Sequence, residues 1–237
     1  MKKTVSAVLI LLSLAFAGCF DIKEEIFLEK NGSGTYVSTI DMTQMKEMLN
    51  MMKSFMPDSL KEGKEDDLEG LGSLDSLQNL WKDIDKVPGI SNVQREKKSD
   101  MIFTVSFKFS DMKALNTAMT KRNQKNDSLP ATISGDFYSF SKGNFSCNDT
   151  SFGGLGDVMK GLNEGAEGND STAMAMNMLK GFMGDMKYTS IYHMPGKISD
   201  YSNKNATLSP DGRTITLEIN LSDSDKRQTL ENKIRYK

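Results

Sequence analysis

Apolar and polar positions alternate most strictly between Met101 and Phe109. Met101, Phe103, Val105, Phe107 and Phe109 interleave with Ile102, Thr104, Ser106 and Lys108. A period of two sends successive side chains to opposite faces, so this stretch predicts a half-buried β-strand. Weaker forms of the pattern run through Ile22, Ile26 and Leu28, through Thr35 to Ile40, through Ile90 to Lys97, and through Tyr188 to Met194. In Arg213 to Leu221 the residues Ile215, Leu217, Ile219 and Leu221 share a face. Asp136 to Phe140 and Asn144 to Asn148 form one more pair around Lys142-Gly143. The punctuation fits hairpins: Asn31-Gly32-Ser33-Gly34, Ser99-Asp100 and Ser209-Pro210-Asp211-Gly212 are turn sequences, with glycine able to take positive φ.

The period changes to 3.6 after three of these strands. Asp41 is placed to cap a helix from Met42 to about Met56, and Ser110-Asp111 opens one reaching about Arg122. Leu77, Leu80, Trp81 and Ile84 fall at helical spacing ahead of Pro88-Gly89, which predicts a short helix over about 74–86. Residues 172–186 are a further helical stretch. Strand, turn, strand, helix therefore recurs three times, and the junctions Ile40-Asp41-Met42 and Ser110-Asp111-Met112 match as a weak internal repeat. The tail from Asp223 to Lys237 is polar and reads as a frayed helix or strand. The expected fold class is α+β, an antiparallel β-sheet built from hairpins with intervening helices packed mainly on one face. Residues 19–237 form a single domain in this reading, with loose segments at about 58–74 and 153–170, where Asp, Glu, Gly and Ser or Gly and Asn accumulate.

The first residues change the picture most. Lys2 and Lys3 precede an uncharged run from Thr4 to Ala17, and small residues lead to Cys19. An apolar run this short suits a secretory signal better than a spanning helix, which needs about 20 apolar residues. Leu14-Ala15-Phe16-Ala17-Gly18-Cys19 resembles the lipobox of bacterial lipoproteins, with Phe16 standing where Leu is usual. The resemblance implies removal of residues 1–18, a diacylglyceryl thioether on Cys19 and acylation of the new amino group. One acyl chain holds a protein only marginally, at about 0.8 kcal/mol per buried methylene, whereas two or three hold it durably. Lys23-Glu24-Glu25 looks like an acidic export tag of some surface lipoproteins, against the plainer reading as an amphipathic first strand.

Charge and cysteine usage bound the chemistry. The 237 residues carry 30 basic and 32 acidic side chains, and loss of Lys2 and Lys3 would make the mature chain more acidic. That balance argues against nucleic acid as a partner. Of two cysteines, Cys19 is claimed by lipid, which leaves Cys147 as a small apolar strand residue with no disulfide partner. A single His193 offers no Cys/His zinc cluster and little material for a histidine-based triad. Carboxylate pairs such as Glu24-Glu25 and Glu65-Asp66-Asp67 do glycosidic chemistry only where a fold brings two acids to the right separation. Methionine is abundant, at 17 residues. Met42, Met45, Met48, Met51, Met52 and Met56 form one cluster, and Met174, Met176, Met178, Met183 and Met186 another. Thioethers are soft ligands for Cu(I), so a copper-handling envelope protein is the alternative to an apolar helix face or an adaptable groove.

Two further features belong together. An early strand ends in the Gly32-Ser33-Gly34 turn soon after Cys19. Met194-Pro195-Gly196-Lys197-Ile198 is followed by Asp211-Gly212-Arg213-Thr214 and the strand Ile215-Thr216-Leu217. The combination resembles the LppM-type bacterial lipoproteins, in which a hairpin, a Pro-Gly-Lys bend and a Gly-Thr-strand element recur. This chain lacks the Trp common in that last strand. The resemblance implies a cell-envelope location and supplies no catalytic residue. The expectation is a lipid-anchored envelope lipoprotein, most often of the outer membrane. It meets the bilayer through acylated Cys19, and its role is non-catalytic, binding or structural. An envelope protein or lipid is the expected partner, and no cofactor or metal is called for.

Overall fold

The computed structural model describes residues 21–43, 81–124, 136–148, 187–220 and 229–237. Eleven strands and one α-helix are found there, with a single 3-10 turn at Ile84–Lys86. The strands are β1 (Asp21–Leu28), β2 (Gly34–Asp41), β3 (Ile90–Ser99), β4 (Ile102–Phe109), β5 (Tyr138–Ser141), β6 (Asn144–Cys147), β7 (Lys187–His193), β8 (Ile198–Tyr201), β9 (Thr207–Leu208), β10 (Thr214–Asn220) and β11 (Asn232–Tyr236). Helix α1 spans Met112–Gln124. The lipidation position Cys19, both methionine clusters beyond Met42, the helices expected at 42–56 and 172–186, and the two loose segments lie outside the described residues.

Seven strands form one sheet in the order β3-β4-β2-β1-β7-β10-β9, and four form a second in the order β5-β6-β11-β8. This corrects the expected purely antiparallel sheet. Within the larger sheet β1 and β7 run parallel, Asp21 opposite Lys187 through Phe27 opposite His193. A parallel pair needs a long crossover, and here everything from β2 to β6 lies between the two strands. The hairpin β5–β6 also leaves the larger sheet altogether. The stretch after Lys197 contains β8 and β9. Of the two readings of the polar tail, helix or strand, the strand holds: β11 sits between β6 and β8 with Asn232, Ile234 and Tyr236 buried.

Helix α1 starts where the sequence places it. Asp111 Oδ1 accepts the Ala114 N–H at 2.8 Å and so satisfies one of the helix's orphan donors. Asp41 Oδ1 accepts the Thr43 N–H at 2.9 Å. The helix buries Ala114, Leu115, Ala118 and Met119. These join a single core that also takes Trp81, Phe103, Phe107, Phe109 and Phe145 from the strands and turns.

One row of the larger sheet's inner face breaks the apolar pattern. Register places Val105, Ser38, Glu24, Ser190 and Leu217 side by side across five strands. Ser38, Glu24 and Ser190 are all buried. Aromatic and aliphatic rows flank them, Phe107, Tyr36, Ile26, Tyr192 and Ile215 among them. A buried carboxylate needs a partner, and the last turn of α1 supplies it. Arg122 Nη1 stands 2.6 Å from Glu24 Oε1 and 3.3 Å from the Tyr36 hydroxyl, with its guanidinium 5.2 Å from the Trp81 ring centroid. Burial, the largest single influence, would lower the guanidinium's pKa, but the Glu24 carboxylate together with Tyr36, Tyr188 and Tyr138 outweighs it and holds the group above its ordinary value. Burial first, and the Glu24 charge second, push the Tyr36 phenol well up. Helix, sheet and ion pair thus lock together at one point.

Candidate functional site

Glu24 and Glu25 are adjacent in sequence and opposite in space. The strand's period of two sends Glu24 to Arg122 in the core and Glu25 to the outer face. They are not a catalytic carboxylate pair, and their fixed places in β1 favour the amphipathic strand over an export tag. On the outer face, register aligns Lys108, Thr35, Phe27, His193 and Thr214 across β4, β2, β1, β7 and β10.

Phe27 and His193 stack with ring centroids 4.1 Å apart and planes within 4°. Phe27 nevertheless remains 40% exposed and, with Leu208, is one of two exposed large apolar side chains among the described residues. His193 Nε2 is 3.3 Å from Glu25 Oε2, and its Nδ1 is 3.2 Å from Thr214 Oγ1. Lys23 Nζ holds the other oxygen of Glu25 at 2.8 Å. A cleft of about 550 Å³ opens beside the stacked rings, between the β1–β2 turn and the chain leaving β7. Its walls include Phe27, Glu29, Lys30, Asn31, His193 and Pro195.

Burial on its own would raise the Glu25 carboxyl. Hydrogen bonds from Lys23 and His193 outweigh it and hold the group below its ordinary 4.5. A carboxylate with a depressed pKa contributes stability above the unfolded value and loses it as pH falls through the folded one. An NMR titration of the Glu25 side-chain carbon is therefore expected to show a midpoint below 4.5. Lys23→Ala and His193→Ala are each expected to move that midpoint upward; an unmoved midpoint in both would refute the assignment.

A carboxylate, an imidazole and a hydroxyl in series is the layout that activates a nucleophile. Thr214, however, is not part of the cleft wall, so its hydroxyl is not presented where a substrate would lie. Among the described residues no three His, Cys, Asp or Glu side chains converge as a metal site, and no helix is long and apolar enough to cross a membrane. Met42 is buried in the core, as are Met119 and Met194. Cys147 is buried in β6.

No family model and no curated protein matches the chain. A solved structure does. The NMR structure of the folded domain of LppM from Mycobacterium tuberculosis is similar at 10% identity and a TM-score of 0.40, covering 93% of this chain and 92% of that one. It bears the name of the group that the motifs around Met194 and Asp211 resemble. A likeness at this level carries neither a ligand nor any residue's role across.

A second groove, of about 640 Å³, lies between α1 and β5. Asn116 lines it. The Asn116 Nδ2 donates to the Tyr138 carbonyl at 2.8 Å and its Oδ1 accepts the Tyr138 N–H at 2.9 Å. β5 is an edge strand, and the carboxamide occupies the place where a neighbouring strand's peptide group would pair. That chemistry is structural, and the Phe27–His193 cleft is the better candidate of the two grooves among the described residues.

The sequence reading set His193 aside because it is the only histidine. Its partners come from β1 and β10, and Glu25 is 168 residues away. The visible signal is slight: Phe27 is a large apolar residue at an outward position of a strand whose other outward residues, Asp21, Lys23 and Glu25, are charged.

Proposed function

We propose that this chain is a bacterial envelope lipoprotein, fixed to the outer membrane by acyl chains on Cys19, whose α+β domain offers the Phe27–His193 cleft to a binding partner and catalyses no reaction. One observation carries the reading. β1 begins at Asp21, two residues after Cys19, and it is the middle strand of the seven. Two residues of chain span at most about 7 Å. A lipid on Cys19 would therefore hold the centre of the sheet against the bilayer rather than trail it on a tether. The strand's eight residues, at about 3.3 Å each, then carry the cleft roughly 23 Å from the anchored end. A site at the far end of the sheet faces away from lipid, toward envelope components.

The non-catalytic part rests on Thr214 lying outside the cleft wall and on both nitrogens of His193 being engaged by Glu25 and Thr214. Cys19→Ala tests the anchor. The expected result is wild-type protein in the outer-membrane fraction of a density gradient and the variant in the soluble fraction. A variant that still pellets, with no acyl mass on the wild type, would refute the proposal.

A further inference from the structure

The cleft's walls restrict what fills it. Its most exposed apolar element is flat: the Phe27 ring, held on one side by the parallel imidazole of His193 and bordered on the other strand by the small side chain of Thr35. Around it stand Glu29, Lys30 and Asn31. The Asn31 carbonyl oxygen already accepts from the Ser33 N–H at 3.1 Å and the Ser33 hydroxyl at 2.7 Å, so its amide hydrogens are what it offers.

Each simple ligand class meets a conflict here. A wholly apolar ligand would desolvate Glu29, Lys30 and Asn31 without satisfying them. An anion would face Glu29, and the His193 nitrogens are already held. A cation would face Lys30. A neutral ligand with one flat apolar face and a rim of hydroxyls meets no such conflict. Its C–H face lies on Phe27, and its hydroxyls pair with the acid, the ammonium and the amide. That is the chemistry of a pyranose ring. We infer that the Phe27–His193 cleft binds a neutral saccharide, a hexose or N-acetylhexosamine unit, with Phe27 as the stacking platform and Glu29, Lys30 and Asn31 as the hydroxyl readers.

This deepens the partner-binding reading above and rests on it for the direction the cleft faces. The His193 stack matters because a ring fixed before binding loses little entropy on binding. His193 and Glu25 are positioning residues in this role: the imidazole stacks on Phe27 and is itself held by Glu25.

The test uses the full chain in a detergent with no sugar headgroup, with triacetylchitotriose and maltotriose as probes, read by saturation-transfer NMR. The expected result is transfer to the ring protons of at least one trisaccharide, with affinity about tenfold lower in Phe27→Ala, the loss of roughly one stacked aromatic contact. Phe27→Leu keeps an apolar side chain but removes the flat face, and must weaken binding as well. Leu208→Ala, at the other exposed large apolar residue, must leave it unchanged. An added arm, co-sedimentation with insoluble peptidoglycan sacculi, tells a polymeric glycan from a free oligosaccharide. No transfer to either sugar and no co-sedimentation, or transfer undiminished in both Phe27 variants, would overturn the inference. Micelles remove any dependence on the anchor, so a negative result here leaves membrane retention through Cys19 standing, and loss of that retention leaves sugar binding standing.

Discussion

Arg122→Met is expected to lower the free energy of unfolding by about 3–5 kcal/mol, the cost of leaving a buried charge without its partner. The basis is geometric. Glu24 sits in the middle row of the core face, its side chain 6% exposed, and the 2.6 Å contact comes from an Arg122 side chain 15% exposed. Removing Arg122 leaves the Glu24 carboxylate facing Tyr36 and apolar rows. Arg122→Lys is expected to lose much of the same stability, because an ammonium cannot reproduce the planar group that meets Glu24, Tyr36 and Trp81 together. The informative variant is the double one. Glu24→Met with Arg122→Met removes both charges, and such replacements are often neutral or stabilising by about 1–4 kcal/mol. Urea unfolding of the four proteins gives the coupling directly. A single Arg122→Met cost below about 1 kcal/mol would mean that solvent reaches Glu24, contrary to its burial.

Asn116→Ala is expected to cost about 2–4 kcal/mol, since it leaves both the N–H and the C=O of Tyr138 without the partner that satisfies them, at roughly 1–3 kcal/mol each. Asn116→Asp is no rescue. The carboxylate still accepts the Tyr138 N–H, but it turns an acceptor toward the Tyr138 carbonyl. A second consequence separates this role from simple packing. Without the carboxamide, the outer edge of β5 presents unpaired backbone groups, and an open edge recruits other strands. Asn116→Ala is therefore expected to self-associate at concentrations where the parent is monodisperse, as read by analytical ultracentrifugation. A stability loss within about 0.5 kcal/mol of zero, with unchanged sedimentation, would remove Asn116 from this role.

The parts of the fold legible in the sequence are those where local chemistry and burial agree. β4 alternates clearly because Phe103, Val105, Phe107 and Phe109 all face one core, and α1 begins where Asp111 caps it. The hairpins were readable from Gly32, Gly143 and Gly212, all at positive φ. Illegible parts are those where the core is built from polar residues. β11 is central to its sheet, yet Asn232 fills a wholly buried position and is bonded to the Asn203 N–H rather than packed as an apolar residue. Glu24 stands on the same face of β1 as Ile22, Ile26 and Leu28, and its charge is accommodated there only because a helix 98 residues on brings Arg122 to it. The division into two sheets is invisible in the hairpin pattern, because β5–β6 and β1–β2 have the same local signals and differ only in their neighbours. The cleft depends on the parallel register of β1 and β7, and no local pattern encodes a pairing between strands so far apart.

Depth in the bilayer is the most direct measurement. Full-length protein purified from its bacterial host is reconstituted into liposomes containing spin-labelled lipid, with a fluorophore at Thr43→Cys beside the Asp21 end of the sheet or at Lys30→Cys on the cleft. The prediction is strong quenching at 43 and none at 30. Equal quenching at the two positions, or none at either, would contradict a sheet fixed to the membrane at one end with its cleft held away from it.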